Sequence, residues 1–236
     1  MKLNIGAGWS RFDGYLNCDI SPEANPDFVF DLEKDIWPFE DNTVDAVIAH
    51  HILEHLGDGY FHALKELYRV CKPDAIVDIW VPHYAHHNFF HDPTHRRSIT
   101  PFGLDLFNKF NNYNSPSAAS KLGLIFDIDL RVVDYEAIVD CRYQYLQQYP
   151  VAAIEEMAFE KKNLIEEYRI KVKVVKWSSN HYRIYKYYLE VLGRPCNPDE
   201  ADQYMDLTCS DEEFKLKLMN SEEYKQQHHQ QDQKQL

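Results

Sequence analysis

The sequence lacks the marks of an extracellular, membrane-spanning or nucleic-acid-binding protein. Its five cysteines, Cys18, Cys71, Cys141, Cys196 and Cys209, are odd in number and form no CxxC pair. Neither a disulfide framework nor a cysteine-rich metal site is therefore expected, and free thiols in a reducing compartment are. Basic residues are outnumbered by acidic ones, 25 against 38, for a net charge of −13. That excludes a long phosphate backbone as the main partner, because the one arginine pair, Arg96-Arg97, is too small a patch to hold one. No run approaches the roughly 20 apolar residues of a membrane helix. The start, MKLNIGAG, carries no cleavable apolar stretch. These absences predict a cytoplasmic globular protein with no membrane and no nucleic-acid partner, long enough at 236 residues for one α/β domain and an appendage.

What is present begins at once. Leu3 and Ile5 lead into Gly6-Ala7-Gly8, and a second apolar pair, Tyr15 and Leu16, runs to Asp19. This is the pattern of a strand, a glycine turn and a second strand ending on a carboxylate. Glycines after a parallel strand let backbone approach a ligand, and an acid at the tip of the next strand can hold a ribose hydroxyl pair. The third glycine of the dinucleotide fingerprint is missing, with Ser10 near its place, and the link after Gly8 is too short for the usual crossover helix.

Further along, Phe28 to Phe30 reads as a short strand ending at Asp31, and Thr43 to Ala49 as a fully buried one followed by His50. The spacing of Tyr60, Leu64, Leu67, Tyr68 and Cys71 predicts a helix with Asp58 near its N-cap, ended by Lys72-Pro73, and Ala75 to Val81 predicts the next strand. Strand, helix and strand with short links indicate parallel βαβ units, whose ligands sit outside the carboxyl ends of the strands.

The ordered segments LNIGAG, NCDISP, VFDLEKDIWPF, DNTVDAVIAHHILEHL and ALKELYRVCKPDAIVDIWVP resemble the class I S-adenosylmethionine-dependent methyltransferases, in particular a compact subgroup that begins almost at its first strand. The resemblance covers residues 2 to 100 well and continues more loosely to about Trp177. It implies a Rossmann-like seven-stranded α/β sheet. It also implies S-adenosylmethionine as cofactor, with Gly6 and Gly8 at its methionine part, Asp19 at the ribose hydroxyls, Asp31 with Leu32 at the adenine, and His50 near the sulfonium. Two departures accompany it: Asn4 stands where the family usually has an acid, and little or no first helix can follow Gly8.

Between Pro82 and Pro101 lie His83, His86, His87, His91, Asp92 and His95. Three readings of this loop stand side by side: a metal site built on His91, Asp92 and His95 plus one of His83, His86 or His87; a single imidazole acting as acid or base toward an acceptor; and a solvated loop in which the histidines cap turns. The string HDPTHRRSITP resembles a DPTH segment that recurs in the subgroup. By that resemblance Asp92 and His95, with His83, are the catalytic candidates of an acceptor pocket, and Arg96 or Arg97 would pair an anionic group on the substrate or fix Asp92.

Beyond the loop the sequence predicts helices over Phe102 to Phe110 and Ala118 to Leu122, a strand over Phe126 to Val133, a helix over Val151 to Tyr168 and a strand over Ile170 to Trp177. The expected organisation is a methyltransferase domain over 1–177, with an acceptor loop region at 83–117 and a helical insertion at 151–169. A mostly helical extension at 178–225, led by a tyrosine-rich helix from Tyr182, and a disordered tail at 226–236 complete it. The expected activity is methyl transfer to an oxygen or nitrogen of a small molecule or carbohydrate. No metal is required for it, and a homodimer is a candidate assembly. The rival readings are a degenerate cofactor-binding or scaffold protein of the same fold, to which Asn4 and the missing helix point, and a metal-dependent hydrolase using the histidine loop.

Overall fold

In a computed structural model of the chain, residues 1–114, 120–177, 179–194, 196, 198–204 and 209–226 are described. All but the first residue of the expected tail lies outside them, as do 115–119, which hold the end of the acceptor loop region and the start of the helix expected from Ala118. The chain divides into two compact units, one of residues 1–109 and 120–176, the other of the remaining described residues.

The first unit is built on a seven-stranded sheet. Its strands are β1 (Lys2–Ile5), β2 (Leu16–Asp19), β3 (Phe28–Val29), β4 (Val44–His50), β5 (Cys71–Pro82), β6 (Leu130–Val139) and β7 (Ile165–Val174). They lie in the order β3-β2-β1-β4-β5-β7-β6. β1 to β5 pair in parallel, and β7 runs antiparallel to both β5 and β6. This is the Rossmann-like α/β sheet expected from the sequence. One face of the central strands is fully covered: Leu3, Ile5, Val47, Ala49, Val77 and Ile79, which all point to it, are at most 3% exposed, whereas Ile76 on the opposite face of β5 is 36% exposed. Helix α1 (Tyr60–Val70) buries Tyr60, Ala63, Leu64, Leu67 and Val70, a stripe at helical spacing. Its N-cap is Gly59, next to Asp58, and the Gly59 N–H donates to Glu33 Oε1 at 2.9 Å, so the capping side chain comes from the loop after β3.

Several expected boundaries move. Helix α2 (His87–His91) lies in the histidine loop, and the helix expected over Phe102 to Phe110 is two short ones, α3 (Pro101–Asp105) and α4 (Lys109–Asn114). The strand expected from Phe126 starts later. Phe126 closes α5 (Leu122–Phe126) and stacks on Phe61 at 4.3 Å, with Asp127 left-handed at φ 57°. The helix from Val151 stops at Glu160 as α6, Asn163 turns at φ 57°, and Ile165 already belongs to β7. The sheet overrides the helix pattern because Ile165, Ile170, Val172 and Val174 are needed as buried strand positions.

The second unit contains α7 (Ser179–Leu192), α8 (Pro198–Gln203) and α9 (Asp211–Met219). Tyr185, Tyr187 and Tyr188 of α7 are buried in its own core with Ile184, Phe214 and Leu218. Those three tyrosines serve packing.

Candidate functional site

The sheet reverses its winding at β1, whose neighbours are β2 on one side and β4 on the other. In an open α/β sheet that switch point, at the carboxyl ends of the strands, is where a crevice forms. Gly6 and Gly8 stand directly after β1 with φ of 59° and 48°, the left-handed region that glycine enters without strain. Gly6 is also pressed against Ile52, which follows β4, and any Cβ at Gly6 would overlap that side chain.

Asp19, at the tip of β2, is fixed by two backbone donors. The Gly8 N–H donates to its Oδ2 at 2.7 Å and the Ser21 N–H to its Oδ1 at 2.9 Å. Each oxygen keeps a second lone pair, so the carboxylate is aimed and still able to accept from hydroxyl groups. No helix bridges β1 and β2. In its place Arg11 ties the loop together, reaching the carbonyls of Gly8 and Ser10 at 2.9 Å and that of Ala24. Asn4 is 2% exposed and donates to Ser10 O and to Asn17 Oδ1 at 3.1 and 3.0 Å. It therefore holds the same loop from below.

Asp31 follows β3 and is partly buried. Its Oδ1 accepts from the Glu33 N–H at 2.9 Å, and its Oδ2 pairs with Lys34 Nζ at 2.8 Å, so Lys34 holds its carboxyl below the usual range. Leu32 is 7% exposed and belongs to the hydrophobic core, which leaves its backbone rather than its side chain for a ligand. His50 ends β4. Its ring stacks on Trp80 at 4.0 Å, meets the edge of Phe12 at 5.5 Å, and its Nε2 lies 3.3 Å from Asp78 Oδ2. Arg169 covers Trp80 at 3.9 Å.

Beside this row, at the outer ends of β4, β5 and β7, lies a pocket of about 410 Å³. His51, Glu54, His55, Asp92, His95 and Glu167 contribute to its lining. Asp92 and His95 are thus brought together as expected candidates, and His55 joins them: their rings are 4.6 Å apart. A polar chain orders the pocket. The Thr94 hydroxyl donates to Asp92 Oδ1 at 2.5 Å and lies 2.8 Å from His55 Nδ1, while His95 Nδ1 lies 2.8 Å from Phe89 O. His51, at φ 52°, has its pKa raised to about 9 by the Glu167 carboxylate and then by Glu54.

The other histidines of the loop go elsewhere. His83 is 3% exposed, sits edge-on to Tyr168 and lines a neighbouring pocket with Phe102, Phe159 and Tyr168. Burial pushes its pKa down to about 4. Its Nδ1 accepts from the Ala85 N–H, and His86 accepts from Asn88 N and joins Asp140 at 3.0 Å. Both imidazoles cap turns. The metal-ligand sets considered from the loop alone do not assemble among the described residues, where the group that converges is Glu54, His55 and His95. Arg97 is committed to the carbonyls of Leu56 and Gly57 and to the face of Tyr60, so it does not fix Asp92. Sequence reading passed over Glu54, His51, Asp78 and Trp80. The HILEH string after β4 was the available signal for two of them, since it brings His51, Glu54 and His55 to the pocket within five residues.

Residues 4–79 match the family model described as a methyltransferase domain. The fold is shared with a SAM-dependent methyltransferase from Archaeoglobus fulgidus, at a TM-score of 0.51 and 18% identity, over 73% of this chain and 85% of that one. An S-adenosylmethionine-dependent methyltransferase from Mesorhizobium loti aligns at a TM-score of 0.44 and 12% identity, over 73% and 89% of the two chains. No curated protein matches the sequence.

Proposed function

We propose that the chain is an S-adenosylmethionine-dependent methyltransferase acting on an oxygen or nitrogen of a small molecule or sugar. The observation that carries this reading is Asp19, a carboxylate fixed by Gly8 and Ser21 amides at the sheet's switch point, with a pocket of polar, titratable groups on the same strand edge. The family match over residues 4–79 supports it.

When bound, the cofactor supplies a sulfonium-activated methyl group. In this reading the backbone at Gly6 and Gly8 receives its methionine part, Asp19 accepts from the ribose hydroxyls, and the turn at Asp31 and Leu32 borders the adenine. Lys34 must yield Asp31 for that carboxylate to accept from a base. The aromatic faces of Trp80, His50 and Phe12 wall the approach to the reacting centre. Bound there, the cofactor would give its methyl group to the acceptor's lone pair, which leaves the acceptor with a proton to lose. His95, with its Nδ1–H donating to Phe89 O and its Nε2 open toward Asp92, takes that proton. Most of the rate comes from alignment, because the methyl donor is already reactive. His83 is left a positioning role beside Tyr168.

Asn4 is the observation that favours a non-catalytic reading, since it stands where the resemblance implies an acid and its amide is spent on Ser10 O and Asn17 Oδ1. The two separate in one experiment. S-adenosylhomocysteine at 100 times its Kd should raise Tm by about 5–10 °C in both wild type and His95→Ala, while turnover of an acceptor found by screening hydroxyl and amine compounds should vanish in the variant. Full turnover in His95→Ala removes His95 from the mechanism, and the absence of any ligand shift in wild type removes the methyltransferase reading.

A further inference from the structure

We propose that Glu54, His55 and His95 form a binding site for a divalent transition metal of the zinc type. The donor atoms of the three residues lie within 4.8 Å of one another, and all three face one pocket. One carboxylate and two imidazoles are a sufficient protein donor set for such an ion, with positions left open for a small molecule.

Glu54 is the independent sign. It is 1% exposed, and neither carboxylate oxygen accepts a hydrogen bond among the described residues. A buried carboxylate in that condition is costly unless a cation faces it. The described counter-charge is the half-exposed His51, whose Nδ1 stands 3.5 Å from Glu54 Oε1 while its Nε2 already reaches Glu167 at 3.3 Å. His51 can keep Glu167 when an ion takes Glu54.

The histidines are preset for ligation. His95 Nδ1 faces the Phe89 carbonyl, which can only accept, so that nitrogen carries the proton and Nε2 carries a lone pair. The Thr94 hydroxyl spends its proton on Asp92 and so accepts from His55 Nδ1, which leaves His55 Nε2 unprotonated as well. A carbonyl or a hydroxyl–carboxylate pair behind a metal-bound imidazole is the usual arrangement that fixes tautomer and ring orientation. Asp92 Oδ2, 4.0 Å from His95 Nε2, and the acidic rim of Glu166 and Glu167 add negative potential.

An ion seated there would occupy His95 Nε2, so the proton-accepting role proposed above for His95 applies to the metal-free protein. The ion would in turn lower the pKa of an acceptor hydroxyl that coordinates it. This goes beyond the methyl-transfer reading and does not depend on it.

The test uses the full chain, freed of any affinity tag and stripped with chelator, titrated with Co²⁺ and no cofactor. A saturable visible absorption band at one ion per chain, displaced by Zn²⁺, is expected. Glu54→Gln and His55→Ala should each weaken it by more than about tenfold, with Tm of the metal-free protein unchanged or raised in Glu54→Gln because a buried charge is gone. Absence of a saturable band overturns the site, as does a band that survives Glu54→Gln, or, where that variant does not fold, one that survives His55→Ala. The S-adenosylhomocysteine shift, read separately, reports on the methyltransferase assignment.

Discussion

Gly6 meets two demands at once, a backbone at φ 59° and Ile52 packed against its α-carbon. Alanine there would be strained by about 1–3 kcal/mol from the backbone alone and would push Ile52 off the turn, two residues from Glu54. Gly6→Ala should lower the denaturant midpoint and weaken S-adenosylhomocysteine binding together. At Gly8 nothing lies near a would-be Cβ, so Gly8→Ala carries the backbone strain without the displacement and should be the milder change. Equal losses of stability in the two variants would remove Ile52 from the explanation.

Among the elements, the histidine loop between β5 and α3 separates into a packed part and a pocket-facing part, and pH distinguishes them. His83 has its folded-state pKa at about 4 through burial, with His86 nearby adding to the effect, against an ordinary value near 6.5. The unfolded chain therefore binds more protons between those values, and stability rises with pH across that window. The contribution is on the order of 3 kcal/mol for the full shift, lost as pH falls from 6.5 toward 4. His83→Asn, which keeps an acceptor for the Ala85 N–H, should flatten that part of the stability profile measured by urea unfolding. An unchanged profile would contradict the burial account.

The same elements mark how far the sequence could be read. β1, β2, β4 and β5 were legible because parallel strands of a covered sheet are written as short apolar runs, and the carboxylates at the end of β2 and just after β3, Asp19 and Asp31, mark the crevice. The boundary between α6 and β7 was not, since residues 151–168 carry an acidic helical pattern while Ile165 and Tyr168 are claimed by the sheet. The acceptor pocket was half legible. Asp92 and His95 stand in a readable motif, but Glu54 and His55 meet them across some forty residues of chain, and no local pattern reports that Glu54 is buried without a hydrogen-bond donor.

At the scale of the whole molecule, the described structure holds two cores, one around the sheet and one around α7 and α9, and every residue given a cofactor or pocket role lies in the unit built on the sheet. The net charge of −13 surrounds a site whose carboxylates, Asp19, Asp31, Glu54, Asp92 and Glu167, outnumber the cations paired with them, Lys34, His51 and Arg169. A cationic sulfonium and a divalent ion are both ligands that such a field favours. No helix among the described residues is long and apolar enough to cross a membrane. The central claim is that Asp19, held by Gly8 and Ser21, receives the ribose of S-adenosylmethionine. Isothermal titration of S-adenosylhomocysteine into wild type and Asp19→Ala tests it most directly. One site per chain in wild type, weakened at least about 100-fold in the variant, is predicted from the loss of two charge-assisted hydrogen bonds; equal binding by the two proteins, or none by wild type, would contradict it.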